Sequence, residues 1–183
     1  LEIGYHLLDR GASALTAAEQ VISALQQSRL FNAGRGANRQ LDGVRRMDAS
    51  IMEGQALLAG AVASIEGIVH PITAARLVME ETNHVLLVGP MATAFARYFK
   101  LEGQRPGRLT RRLSYGAMLK RQQLSRERHG TVGAVALDRS GTVAAGASTG
   151  GIDRILPGRV GDTPIIGCGV YADNQSGAVS MTG

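Results

Sequence analysis

Residues 101–130 carry none of the apolar periodicity of a core element, whereas the sequence on either side does. A connection that long inside a compact domain is uncommon and is usually functional or free of packing constraints. The chain is therefore expected to fold as two patterned portions, 1–100 and 131–183, joined by a flexible tether. The tether also holds the charge. Arg105, Arg108, Arg111, Arg112, Lys120, Arg121, Arg126 and Arg128 stand against Glu102 and Glu127, a local charge of +6, while the remainder of the chain carries −1. The net charge of +5 thus belongs to one segment and not to the folded body. A basic stretch can meet phosphates, but a single-strand platform needs interleaved aromatic rings, which this one lacks. It reads as a solvated linker, with no nucleic acid as partner. A helical turn around Tyr115 to Leu119 is its one patterned piece.

The flanking portions predict an α+β protein. Residues 14–28 give a helix, with Thr16 and Glu19 spaced as a capping box and apolar positions at Leu15, Val21, Ile22 and Leu25. Met47 to Glu53 and Ala56 to Ile65 form two strands joined at Gly54. Pro71 opens a second helix, His84 to Val88 reads as a buried-type strand, and Met91 to Phe99 as a short helix. After Gly130 come Thr131 to Leu137 and Gly141 to Ala147, joined by Asp138-Arg139-Ser140-Gly141, then Thr163 to Tyr171 and Ser176 to Thr182. Helices first and then strands on short turns favour antiparallel pairing over a doubly wound sheet. Glycine is abundant at 24 residues and aromatics are only 4%, which suits strand backbones lying close under helices. The single Cys168 excludes an intramolecular disulfide and fits a reducing compartment, so a cytoplasmic protein is expected. No run approaches the roughly 20 apolar residues of a membrane span, and LEIGYHLL has no signal-peptide character.

The tether ends at His129-Gly130, and a strand begins at Thr131. Cleavage of the Gly130–Thr131 bond would leave threonine as a chain terminus at the end of a sheet. A threonine hydroxyl alone is a weak nucleophile; a free α-amine on the same residue, with a pKa near 7.7–8.0, can take its proton at neutral pH. Gly130 suits the cut, because it puts no side chain beside the scissile carbonyl.

The order of motifs sharpens this. TVGAVALD opens at Thr131, STGG follows at 148–151, PGRVGD at 157–162 and SMTG at 180–183, with FNAGRGA at 31–37 and MDASIMEG at 47–54. Together they resemble the plant-type asparaginase and isoaspartyl peptidase family, of the N-terminal nucleophile hydrolases, which is also similar to glycosylasparaginase. The resemblance implies a four-layer αββα sandwich with mainly antiparallel sheets, made as a precursor that cuts itself. It implies Thr131 as nucleophile and first residue of the β-subunit, with 1–100 in the α-subunit, and Thr149 as support for the nucleophile and for self-cleavage. Arg159 would pair with a substrate α-carboxylate and Asp162 with its α-amine. Thr182 and the Gly183 N–H would form the oxyanion hole, Gly183 also touching substrate, and Asn32 would have a supporting role. A guanidinium grips a carboxylate bidentately and a carboxylate takes an ammonium, so such a pair reads a zwitterion at both ends. The implied substrates are L-asparagine and β-aspartyl dipeptides, and the implied assembly is a dimer of α/β heterodimers. Some relatives hold a structural sodium through backbone carbonyls after FNAG, here 38–46. The family pattern extends before Leu1 and past the TG motif, so a chain truncated at both ends is expected.

Competing signals are weaker. Gly146-Ala147-Ser148-Thr149-Gly150 fits a nucleophile elbow, but that mechanism needs a later histidine, and His6, His70, His84 and His129 all precede it. Cys168 has apolar and glycine neighbours and reads as a buried structural thiol. The histidines lack metal-ligand spacing, so no catalytic metal is expected. Two rival functions remain: a glycosylasparaginase-like or taspase-like hydrolase using the same nucleophile, and an unprocessed relative serving as a binding or structural module.

Overall fold

The computed structural model describes residues 1–107, 113–122 and 130–182. The helices are α1 (Glu2–Asp9), α2 (Ala14–Gln27), α3 (Pro71–Glu81), α4 (Gly89–Tyr98) and α5 (Tyr115–Gln122). The strands are β1 (Arg46–Glu53), β2 (Leu58–Glu66), β3 (Leu86–Val88), β4 (Val132–Leu137), β5 (Val143–Thr149), β6 (Val170–Asp173) and β7 (Gly177–Ser180). Five of them form one sheet in the order β3-β2-β1-β5-β4, and β6 and β7 form a separate hairpin. Among the described residues no helix is long and apolar enough to cross a membrane.

The large sheet is covered on both faces, as period-two alternation along its inner strands requires. Ile51, Met47 and Ala49 of β1 join Val62, Ile65, Ile22 of α2 and Ile72 and Val78 of α3 in the main core. Met52, Ala145 and Ala147 face the other way and pack with Val170 and Ala172 of the β6–β7 hairpin. The described order of layers is thus helices, sheet and hairpin. Small residues let these layers close up. A Cβ at Gly60 of β2 would strike the Ala75 carbonyl oxygen and come within 2.7 Å of the Met79 nitrogen of α3.

The expected α+β class holds, and the antiparallel preference holds for β1–β2, β1–β5 and β4–β5. The sheet is nevertheless mixed, because β3 runs parallel to β2. That strand is also shorter and more exposed than HVLLV suggests: it sits at the sheet edge, where a brief apolar run has no second neighbour to bury it. β4 is likewise an edge strand, with Val135 54% and Leu137 61% exposed. The strands expected over 163–171 and 176–182 shrink to four residues each, since turns fill 163–169.

The cap of α2 also differs from expectation. Ser13, and not Thr16, is the N-cap, its hydroxyl accepting from Thr16 N at 3.2 Å. Glu19 lies inward instead, where its carboxylate accepts from Thr73 Oγ1 at 2.7 Å and pairs with Arg76 Nη1 at 2.8 Å. A buried carboxylate is tolerated when it is paired in this way. Part of the basic stretch is tied to the body: Val69 N donates to Glu102 O at 2.9 Å, Gln104 N to Gly67 O at 2.9 Å, and Arg45 N to Pro106 O at 2.7 Å.

Gly60→Ala is expected to cost about 1–3 kcal/mol through overpacking between β2 and α3. A lowered midpoint of urea unfolding with an unchanged slope would show it, and a midpoint equal to the parent's would contradict this close packing.

Candidate active site

Antiparallel pairing brings one end of three adjacent strands together. Asp48 near the start of β1 lies opposite Thr149 at the end of β5, and Val132, first residue of β4, lies opposite Ser148. Thr131 therefore stands immediately before β4 and beside Thr149. Its hydroxyl donates to Thr149 Oγ1 at 3.0 Å, and the Gly151 N–H donates to that same oxygen at 3.0 Å.

The turn after α2 closes over this end of the sheet, and Asn32 is its centre. The Asn32 N–H donates to the Gly130 carbonyl at 3.1 Å, and the Asn32 carbonyl accepts from Gly150 N at 2.7 Å. Its side chain is equally occupied. Nδ2 donates to the Gly151 carbonyl, and Oδ1 accepts from Asn38 N at 2.8 Å. Such proximity requires glycine at 130, where a Cβ would lie 2.7 Å from the Asn32 Cβ. An N–H aimed at a peptide carbonyl is the donor that stabilises negative charge on that oxygen if the carbonyl is attacked.

Thr131, Thr149, Gly151, Ile152, Arg159, Asp162 and Thr182 wall a pocket of about 30 Å³, room for roughly one water molecule. Larger hollows are present among the described residues. One of about 870 Å³ lies between α1, α2 and β4, and one of about 410 Å³ between β4 and β7. Size alone would favour the first, but its walls are mainly apolar and it lacks the convergent polar groups of a reactive site. The small pocket has a hydroxyl pair, a guanidinium and a carboxylate.

Of the residues singled out in the sequence, Thr131, Thr149, Arg159, Asp162 and Thr182 thus converge on one pocket, with Asn32 and Gly130 directly behind it. Gly183 and His129 lie outside the described residues. The elbow serine is no nucleophile candidate in this geometry: Ser148 is fully buried within β5, where its Oγ accepts from Gln26 Nε2 at 2.7 Å. Cys168 is exposed, contrary to the buried thiol expected, because it sits in the turns that replace the first half of the predicted strand. Among the described residues no three His, Cys, Asp or Glu side chains converge as a metal site would require. In the loop 38–46, Arg45 Nε donates to Ala37 O at 2.9 Å, and Arg46 Nη1 to Gln40 Oε1 and Asp42 Oδ2 at 2.8 Å each.

Sequence reasoning passed over Asp48. A charged residue amid Met47 to Met52, a run buried throughout, is the signal that could have found it, since ionisable groups are almost never fully buried without partners. Burial pushes its carboxyl up from 3.8 to about 6. The N–H groups of Ser64 and Gly161 and the charge of Arg159 oppose that rise, and the charge of Asp162 adds to it.

The model of the Asparaginase family matches residues 1–183. Isoaspartyl peptidase of Escherichia coli (strain K12) is 41% identical over 196 residues, covering 100% of this chain and 61% of the relative. Isoaspartyl peptidase/L-asparaginase of Xenopus laevis is 45% identical over 186 residues, covering 98% and 60%, and that of Homo sapiens 43% over 196 residues, covering 99% and 61%. The chain spans about three fifths of the length of these curated relatives. It belongs to the Asparaginase family.

The raised Asp48 carboxyl fixes the sign of a pH effect. The native state holds a proton between pH 3.8 and about 6 that the unfolded chain has released, so this contribution is present below pH 3.8 and lost as pH rises through about 6. Asp48→Asn removes that loss. From pH 4 to pH 8 its stability should gain on the parent's by about 2–3 kcal/mol, at 1.36 kcal/mol per unit. Parallel stability–pH curves in chemical denaturation would contradict this.

Proposed function

We propose that this chain is the precursor form of an amidohydrolase that cuts itself between Gly130 and Thr131 and then hydrolyses β-aspartyl dipeptides, L-asparagine or both. The observation that carries the proposal is the placement of Thr131. Its hydroxyl lies against Thr149 and beside Arg159 and Asp162, while its own preceding carbonyl is already held by the Asn32 N–H. The names of the relatives, isoaspartyl peptidase and isoaspartyl peptidase/L-asparaginase, support the same substrate class.

In the first stage the Thr131 hydroxyl attacks the Gly130 carbonyl carbon. The Asn32 N–H stabilises the developing oxyanion, the peptide C–N bond breaks as the hydroxyl proton passes to its nitrogen, and that nitrogen becomes the Thr131 α-amine. Gly130 is left as an ester on Oγ1, which water hydrolyses. The chain then consists of an α-portion ending in the basic linker of 101–130 and a β-portion beginning at Thr131. Both belong to one four-layer αββα sandwich, of which helices, sheet and hairpin are three layers.

In the second stage the α-amine takes the hydroxyl proton, and Oγ1 attacks the substrate's side-chain carbonyl. The oxyanion role falls to Thr182 and, by resemblance to the family, to the Gly183 N–H. Each well-placed donor of that kind contributes roughly 10²–10³ in rate. The intermediate collapses by expelling ammonia from asparagine, or the neighbouring amine from a dipeptide, the departing nitrogen taking up the proton. Water then cleaves the aspartyl ester and restores Thr131. Thr149 holds the nucleophile throughout. Arg159 grips the α-carboxylate and Asp162 the α-ammonium, so both substrates present the same head to the clamp. A protease reading an internal aspartate would have no free α-amine for Asp162, which weighs against the taspase-like alternative.

Two assays test this. Thr131→Ala should abolish hydrolysis of both asparagine and a β-aspartyl dipeptide, and residual turnover near the parent's rate would refute the nucleophile. Arg159→Lys loses the bidentate fork, and KM for both substrates should rise by about tenfold with kcat less affected. An unchanged KM would remove Arg159 from the substrate.

A further inference from the structure

A charged side chain in the central strand of a sheet covered on both faces needs an explanation, and Asp48 is only 5% exposed. It sits at an irregularity. Met47 pairs with Ile65 and Ala49 with Val62, so Ala63 and Ser64 together oppose Asp48. Two residues against one form a bulge, a device that re-aims side chains. Ser64 has φ +53°, in the left-handed region that serine seldom adopts, and in that conformation its N–H donates to Asp48 Oδ1 at 2.8 Å.

The Gly161 N–H, from the turn that carries Arg159 and Asp162, also works against the burial-driven rise of this carboxyl. Gly161 in turn lies under the Arg159 side chain: a Cβ there would meet Nη1 at 2.7 Å and Cζ at 3.2 Å. The strained Ser64 is thus bonded to Asp48 on one side, and the Arg159 guanidinium is packed on Gly161 on the other. Asp48 is also in register with Thr149, the partner of the Thr131 hydroxyl.

We propose that Asp48 is a positioning residue that anchors the Gly161 amide to the central strand and so sets the Arg159–Asp162 clamp at a fixed place relative to the Thr131 hydroxyl. The proposal rests on the reading of Arg159 and Asp162 as a clamp for an amino-acid head. Two properties of the site support it. Asp48 attracts Arg159 and repels Asp162, so its charge acts with opposite sign on the two halves of the clamp. Burial of the ionised carboxylate also lowers stability near neutral pH, so stability alone does not account for it.

The test compares the parent with Asp48→Asn in two measurements on the whole chain: calorimetric binding of L-aspartate, and steady-state hydrolysis of a β-aspartyl dipeptide. The expected result is an L-aspartate Kd and a dipeptide KM each raised by about tenfold or more, with kcat changed by less than about threefold. Release of the Thr131 terminus should be unaltered and the melting temperature at pH 8 no lower than the parent's. A merely structural residue would instead lower the melting temperature and depress kcat and self-cleavage together. That pattern, an Asp48→Asn chain that fails to fold, or a Kd and KM equal to the parent's would each overturn the proposal. A parent that neither binds L-aspartate nor hydrolyses the dipeptide would sink the clamp itself, an outcome distinct from an active parent indifferent to Asp48→Asn.

Discussion

Two backbone hydrogen bonds of one residue organise this end of the molecule. Asn32 donates its N–H to the Gly130 carbonyl and accepts Gly150 N–H on its own carbonyl, so the turn after α2 is fastened at once to the start of β4 and the end of β5. Each such bond is worth only about 0.5–1.5 kcal/mol net. Their value is geometric, because they act on strands whose positions the β4–β5 ladder already fixes from Val132–Ser148 to Leu137–Val143. A peptide bond broken at Gly130 would leave that ladder intact. Thr131 would stay beside Thr149 while gaining an amine, which is the condition for one residue to serve as nucleophile and base.

The same end of the sheet is where the fold departs from what stability alone favours. The sheet's interior is built largely from alanine, isoleucine and valine, and toward its other end α3 lies almost on the β2 backbone at Gly60. Into this apolar packing the chain places Asp48, a bulge and a serine at positive φ. Strain and buried charge of this kind gather at sites where geometry matters more than stability. Arg159 and Asp162 lie on a loop, and loops are the mobile part of most folds. Tying that loop through Gly161 to a central strand gives it the rigidity of the sheet.

Much of this was legible in the residues. The spacing in 14–28 and the proline at 71 gave α2 and α3 to within a residue or two, and the strand pattern after Gly130 gave β4 and β5 with their turn. The order of FNAG, TVGAVALD, STGG, PGRVGD and SMTG named five side chains that converge on one pocket. What escaped has physical reasons. HVLLV cannot announce whether it lies in the middle of a sheet or at its edge, because both need only an apolar run. Ser13 caps α2 in place of Thr16 because tertiary pairing with Thr73 and Arg76 claims Glu19 for the core. Asp48 stayed hidden because its role depends on a two-against-one bulge, and no periodicity encodes which strand carries the extra residue.

The covalent state of the folded chain distinguishes an N-terminal nucleophile from every other use of Thr131. Intact mass under denaturing conditions, with terminal sequencing of any fragment, should give two polypeptides, the shorter beginning at Thr131, once the folded protein has been incubated at neutral pH. A single unbroken polypeptide that hydrolyses a β-aspartyl dipeptide at full rate would contradict it, because no free amine would then be present on Thr131 to activate the hydroxyl.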